Sequence, residues 1–136
     1  MIYKFTIPTN VKKKSPSLND YIKAERTTVK KQGGRLVTLG ALMKKEWQRY
    51  IGNCIRRDLH GLHIKEPIVV HYHYYEPDRR RDYGNIHAPV QKFTEDAMQD
   101  VGLIPNDNQD YIIGFSADFH VDPKNPRIEV EIETRG

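Results

Sequence analysis

The stretch PIVVHYHYYEPDRRRDYGN (Pro67–Asn85), with the residues that follow it to Gly102, decides the fold. From Pro67 to Glu76 the side chains alternate, so that Val70, Tyr72 and Tyr74 share one face of a strand and His71, His73 and Tyr75 the other. Pro77 stops the strand. Beyond the turn the apolar period lengthens to that of a helix, and Ile86, Val90, Phe93, Ala97 and Val101 form a buried stripe from about Asn85 to Val101. Asn85 suits the N-cap, Pro89 the first turn and Gly102 the stop.

Working outward, Ile2–Ile7 reads as a strand ended by Pro8, followed by a loop over Asn10–Pro16. Ser17 is placed to cap a short helix with Asp20 in its first turn. Its apolar side is Leu18, Tyr21 and Ile22, extended at most to Val29. Lys30–Arg35, with Gly33-Gly34 inside it, is a flexible basic break. A longer helix runs from about Thr38 to Leu59, with Leu39, Leu42, Met43, Trp47, Tyr50, Ile51 and Cys54 at helical spacing and Gly61 beyond it. Tyr111–Val121 and Arg127–Glu133 are two further strands joined by the turn Asp122–Pro126. The order β-α-α-β-α-β-β predicts an α+β, two-layer fold. Helices pack on a central, mostly antiparallel sheet of about four strands, in a single domain over residues 1–136.

Composition narrows the function classes. The chain has 136 residues and a net charge of +4, but residues 1–57 hold 14 Lys and Arg against 3 Asp and Glu, while residues 58–136 hold 8 against 15. A basic half joined to an acidic half suits a polyanion-binding face beside a carboxylate site, or two solvated faces that neutralise each other. The lone Cys54 excludes an intrachain disulfide and fits a core thiol in a reducing compartment. No apolar run reaches membrane-spanning length and no apolar segment follows Met1-Ile2-Tyr3-Lys4, so a cytoplasmic location and no membrane partner are expected.

The turn carries the chemistry. Arg79, Arg80 and Arg81 precede Asp82; Lys92 and Asp96 follow on the helix, and Asp107 comes after Gly102. Cation, carboxylate, lysine and a distant carboxylate in that order suit metal-dependent phosphodiester cleavage. Mg²⁺ takes carboxylate and water oxygens, lowers the pKa of a bound water and offsets charge on the phosphate. Asp82 lies just before a helix N-terminus, where peptide dipoles favour a phosphate. Asp96, four residues from Lys92, either orients that lysine or forms a surface ion pair.

Several segments together resemble RusA-like Holliday-junction resolvases of the type found in Gram-positive phages and prophages. They are Ser17–Arg26, Lys44–Trp47, Tyr74–Asp82, Lys92–Met98, Gly102–Ile104, Asn106–Asn108 and Val121–Val130, in order over nearly the whole chain. The resemblance implies a Mg²⁺-dependent endodeoxyribonuclease, with Mn²⁺ as a substitute ion. It would act as a homodimer on branched DNA, the four-way junction, with no small-molecule substrate. In such enzymes three aspartates gather the metal and a lysine assists. By motif position Asp82 is the first acid, Asp107 the third and Lys92 the lysine; the second acid falls where this chain has Gly84. The glycine leaves open a weakened enzyme, with Glu76, Glu95 or Asp96 moving in as the substitute acid, a relative that binds junctions without cutting them, and a deliberately disabled mutant. It also admits a positive φ that would alter the turn.

Lys12, Lys13, Lys14, Lys23, Arg26, Lys30, Lys31 and Arg35 are the candidates to grip junction phosphates, with Arg79, Arg80 and Arg81 as a clamp near the metal. A solvated basic face is the alternative, and a basic accessory protein for single strands or RNA a remoter one. His71 and His73 share a strand face, but no cysteine or histidine at matching spacing completes a zinc site with them. Tyr72, Tyr74 and Tyr75 read as sheet core or dimer contact, and Trp47 as core.

Overall fold

The computed structural model describes residues 1–9, 18–30 and 33–135. Ser17, Lys12, Lys13, Lys14 and Lys31, singled out above, lie outside the described residues. Within them the elements run β1 (Ile2–Pro8), α1 (Leu18–Glu25), β2 (Thr28–Lys30), β3 (Leu36–Thr38), α2 (Leu39–Asp58), β4 (Ile68–Glu76), α3 (Tyr83–Asp100), β5 (Ile112–Val121) and β6 (Arg127–Thr134). The fold is α+β, as expected.

The main sheet has the order β1-β6-β4-β5. β6 is antiparallel to both β1 and β4, while β4 and β5 are parallel. Parallel neighbours need a long crossover, and α3 supplies it. The inner face of β4 carries Ile68, Val70, Tyr72 and Tyr74, all wholly buried. Phe5 and Ile7 of β1, Ile128, Val130 and Ile132 of β6, and the apolar stripes of α2 and α3 complete the core. Tyr72 and Tyr74 are therefore core residues, while Tyr75 faces outward.

The turn between β5 and β6 does not make a hairpin. It crosses the end of β4, where the Asp122 N–H donates to the Glu76 carbonyl at 2.8 Å, so β6 lands on the far side of β4. The crossing is pinned by Arg127, whose guanidinium reaches the Asp122 carboxylate at 2.8 Å and the Asn125 carbonyl at 3.0 Å.

Three local expectations are corrected. Gly33 and Gly34, at φ 95° and 86°, turn the chain between β2 and β3, and Val29 pairs with Val37 instead of extending α1. α3 starts earlier than Asn85. Asp82 is its N-cap, with a carboxylate oxygen accepting from the Gly84 N–H at 2.8 Å, which puts Pro89 inside the helix rather than in its first turn. Gly84 is itself helical and is absent from the positive-φ glycines, so it does not bend the turn. The end of α3 follows the sequence: Gly102 adopts φ 76°, and the Leu103 and Gly102 N–H groups close onto the Met98 and Gln99 carbonyls at 2.9 and 3.0 Å.

Candidate functional site

Two depressions flank α3. The first gathers at its N-terminus, where the C-terminal ends of the parallel strands β4 and β5 meet the arginine turn. It is lined by Glu76, Asp78, Arg79–Arg81, Asp82, Tyr83, Ile86, Phe119, His120 and Val121. In open sheets with parallel strands this edge is the usual place for a ligand. Asp82 is exposed, but its carboxylate is used as the helix cap. Arg79 and Arg80 face solvent. Arg81 is turned inward, with its guanidinium 3.7 Å from the buried Glu76 carboxylate. The arginine run therefore splits: Arg81 compensates a buried acid, while Arg79 and Arg80 stay at the surface, Arg80 with its guanidinium 3.8 Å from the Asp78 carboxylate.

The second depression lies further along α3 and is lined by Ala88, Gln91, Lys92, Glu95, Asp96 and Asp107. Asp107 reaches it from a loop shaped by two side-chain turns. Asn106 accepts from the Asn108 N–H at 3.1 Å, and Asn108 from the Asp110 N–H at 2.9 Å. Lys92 and Asp107 are thus brought together. Asp82 is not with them. It lines the other depression, and ten residues of helix separate it from Lys92, about 15 Å of axial rise.

Asp96 does not orient Lys92 by an ion pair: its carboxylate lies 3.0 Å from the Lys44 ammonium of α2. Glu95 is the acid the structure singles out. It is half-buried, and its carboxyl is pushed above the ordinary range by burial, with the negative charges of Asp107 and Asp96 adding to the effect. A hydrogen bond from Gln91 and the charge of Lys92 act the other way. A half-buried carboxyl with two further carboxylates nearby makes a site that a divalent cation would relieve, and an all-oxygen set fits Mg²⁺. Among the candidates to replace the acid missing at Gly84, Glu95 and Asp96 both line the depression with Asp107, and Asp96 is engaged by Lys44.

On the opposite, open face of the sheet lies a cluster that the sequence reading passed over. His73 of β4 and Asp118 of β5 are register partners, and His120 follows two residues on along β5. The His73 Nδ1 lies 2.9 Å from both Asp118 carboxylate oxygens, and the His120 Nε2 2.7 Å from one of them. Burial works to raise the Asp118 carboxyl, but the hydrogen bonds from His73 and His120 outweigh it and hold the group below its ordinary value. His71 has different partners, Ser116 at 2.6 Å and Glu133 at 3.2 Å. The sequence carried a signal for this cluster in His-x-His on one strand and Asp-x-His on another, but only the parallel register joins them.

Of the basic residues proposed for DNA, Lys23, Arg26, Lys30 and Arg35 are exposed, the last two beside the glycine turn of the β2–β3 hairpin. No helix is long and apolar enough to cross a membrane among the described residues. Compared with known proteins, the chain matches no family model and no curated protein.

Proposed function

We propose that this chain is a RusA-like, Mg²⁺-dependent endodeoxyribonuclease that nicks four-way DNA junctions symmetrically as a homodimer. The observation that carries the reading is the grouping of Lys92, Glu95 and Asp107 in one depression, with the Glu95 carboxyl raised by burial and by neighbouring acids. Glu95 and Asp107 are the side chains that would hold Mg²⁺ there. Bound between them, the ion would supply a more acidic water and offset charge on the phosphate. Lys92 sets its ammonium against the phosphate as a point charge. Arg79, Arg80 and the exposed cations of α1 and the β2–β3 hairpin hold the flanking strands. Asp82 then serves first as the cap that fixes the start of α3.

A two-fold junction suits a two-fold protein. β5 is an edge strand of the sheet, and it exposes Ile113, Phe115 and Val121, with Tyr83 exposed beside Phe119. An apolar strip along an unpaired edge is what a second copy would cover. A cytoplasmic setting belongs to the same proposal.

A second reading, a junction binder that does not cut, is favoured by Gly84. Cleavage of a mobile four-way junction in Mg²⁺, with binding followed in parallel without metal, separates the two. The enzyme makes paired nicks, and Asp107→Asn slows them by about 10²–10³-fold, the cost of removing one positioned charge-stabilising group, while binding persists. The binder prefers the junction to duplex and leaves it intact. Equal affinity for junction and duplex overturns both.

A further inference from the structure

We propose that His73, Asp118 and His120 form a binding site for a divalent transition-metal ion of the Zn²⁺ class on the open face of the sheet. The site is separate from the oxygen-lined depression on α3 and does not rest on the nuclease reading. Its ligands alternate along β4 and β5 with residues of the helix-covered face, so it lies on the side of the sheet away from Lys92 and Asp107.

Three features of the geometry carry the inference. The first is spacing. One ligand atom from each of the three residues lies within 4.8 Å of the other two, the one such His, Cys, Asp and Glu set among the described residues. Four-coordinate zinc with bonds of about 2.0–2.1 Å places its ligand atoms roughly 3.3 Å apart. The present contacts of 2.9 and 2.7 Å need to open by only a few tenths of an ångström. The second is donor type. Two imidazoles and one carboxylate favour Zn²⁺, Ni²⁺, Cu²⁺ or Fe²⁺ over Mg²⁺, which prefers an all-oxygen set. The third is fixed orientation. The Tyr75 ring stacks on His120 at 4.9 Å, and the Arg127 guanidinium lies 3.9 Å from the centre of the Tyr75 ring. Arg127 is in turn anchored by Asp122 and Glu129 at 2.8 and 2.7 Å.

The chemistry balances without redox. His73 binds through Nδ1 and His120 through Nε2, each as a neutral ring carrying its proton on the other nitrogen. The Asp118 carboxylate, freed of their hydrogen bonds, takes the third position. The side chains of His120 and Asp118 remain about half exposed, at 48% and 47%, so water can fill the remaining coordination. Three protein ligands with a water-filled fourth position is the arrangement of an open zinc site rather than a closed structural one.

The test is calorimetric titration of untagged, metal-stripped full chain with ZnCl₂, alongside the visible absorption of bound Co²⁺. We expect one equivalent per chain, and affinity weakened at least about tenfold by each of His73→Ala, Asp118→Ala and His120→Ala. His71→Ala and Asp107→Asn should bind as the parent chain does. Because His120 is exposed, His120→Ala and His120→Asn decide the matter if a variant at the other positions fails to fold. Absence of binding in the parent chain, unchanged affinity in both His120 variants, or loss of binding in Asp107→Asn would each overturn the proposal.

Discussion

Gly84→Asp restores the acid that the resemblance expects, and the structure sets what it should cost. Gly84 occupies the second helical position of α3 without a positive φ, so a side chain there meets no backbone strain. An added Cβ would approach only the Asp82 Oδ1, at 3.2 Å, and that oxygen must give by a few tenths of an ångström. Replacing a helical glycine gains about 0.4–1 kcal/mol through the unfolded chain. An acid in the first turn adds about 0.3–1 kcal/mol from the helix dipole. Against these stand repulsion from Asp82, about 1 kcal/mol for charges ~4 Å apart in water, and partial loss of a cap worth about 1 kcal/mol. The terms nearly cancel, so the melting temperature should stay within about 3 °C of the parent, a change below roughly 1 kcal/mol. Gly84→Ala, without the repulsion, should melt at or slightly above the parent. Position 84 lies beside Asp82, about 16 Å of helix from Glu95, so junction cleavage at sub-saturating Mg²⁺ should be alike in Gly84→Asp and Gly84→Ala. A melting temperature lowered by more than about 6 °C would show that position 84 is not an open helical site. Cleavage raised in Gly84→Asp alone would put the metal at Asp82 and position 84 and overturn the site at Glu95 and Asp107.

Glu95→Gln should stabilise the metal-free protein at neutral pH. A carboxyl raised by the fold contributes most below its unfolded pKa, and that contribution is lost as pH rises through the folded pKa. Removing the ionised form should therefore raise the melting temperature by about 1–3 °C at neutral pH, the scale of half-exposed substitutions, and leave it unchanged in acid, where Glu95 is protonated. Mg²⁺ at a hundredfold excess over its Kd should stabilise the parent by about 2.7 kcal/mol and Glu95→Gln by much less, and thermal unfolding reads both effects. Charge reversal of Lys23, Arg26, Lys30 and Arg35 should weaken junction binding and lower the salt slope by about one for each phosphate that is no longer held. An unchanged slope would place the DNA on another surface.

Where one segment writes its own pattern, the sequence was readable. β4 alternates because one face is core and the other open, and α2 and α3 repeat at 3.6 because each buries a stripe. Thr38 caps α2 where the apolar period begins, accepting from the Ala41 N–H at 3.0 Å. Features that depend on partners were not readable. Asp82 and Asn85 are both good caps, and Tyr83-Gly84 has too little helix preference to decide between them. The three-residue strands β2 and β3 are too short to show a period and exist through their pairing. That β6 crosses to the far side of β4 is set by the bond from Asp122 to the Glu76 carbonyl, which no local pattern announces. The His73–Asp118–His120 cluster needs the parallel register of strands separated by a whole helix.

The uneven charge of the sequence takes its meaning from the seam between α2 and α3. The basic helix and the acidic helix meet through the Lys44–Asp96 ion pair at 3.0 Å and a hydrogen bond from Gln48 to Asp100 at 2.5 Å. Gly52 lets α2 come close there, since a Cβ at that position would lie 3.1 Å from the Val101 side chain. The seam uses Asp96 and Asp100 from the acidic side and Lys44 from the basic side. Among the described residues this leaves Lys92 as the cation lining the depression that holds Glu95 and Asp107. Lys45, Arg49 and Arg56 stay exposed on α2. Two solvated faces cancelling one another would require the acids of α3 to be spent on the lysines of α2. Only part of them are: Glu95 keeps a carboxyl that burial first, and the charges of Asp107 and Asp96 after it, make harder to ionise. A polyanion held by the remaining basic surface and a divalent ion held by the remaining acids would each offset charge that the fold has left in place.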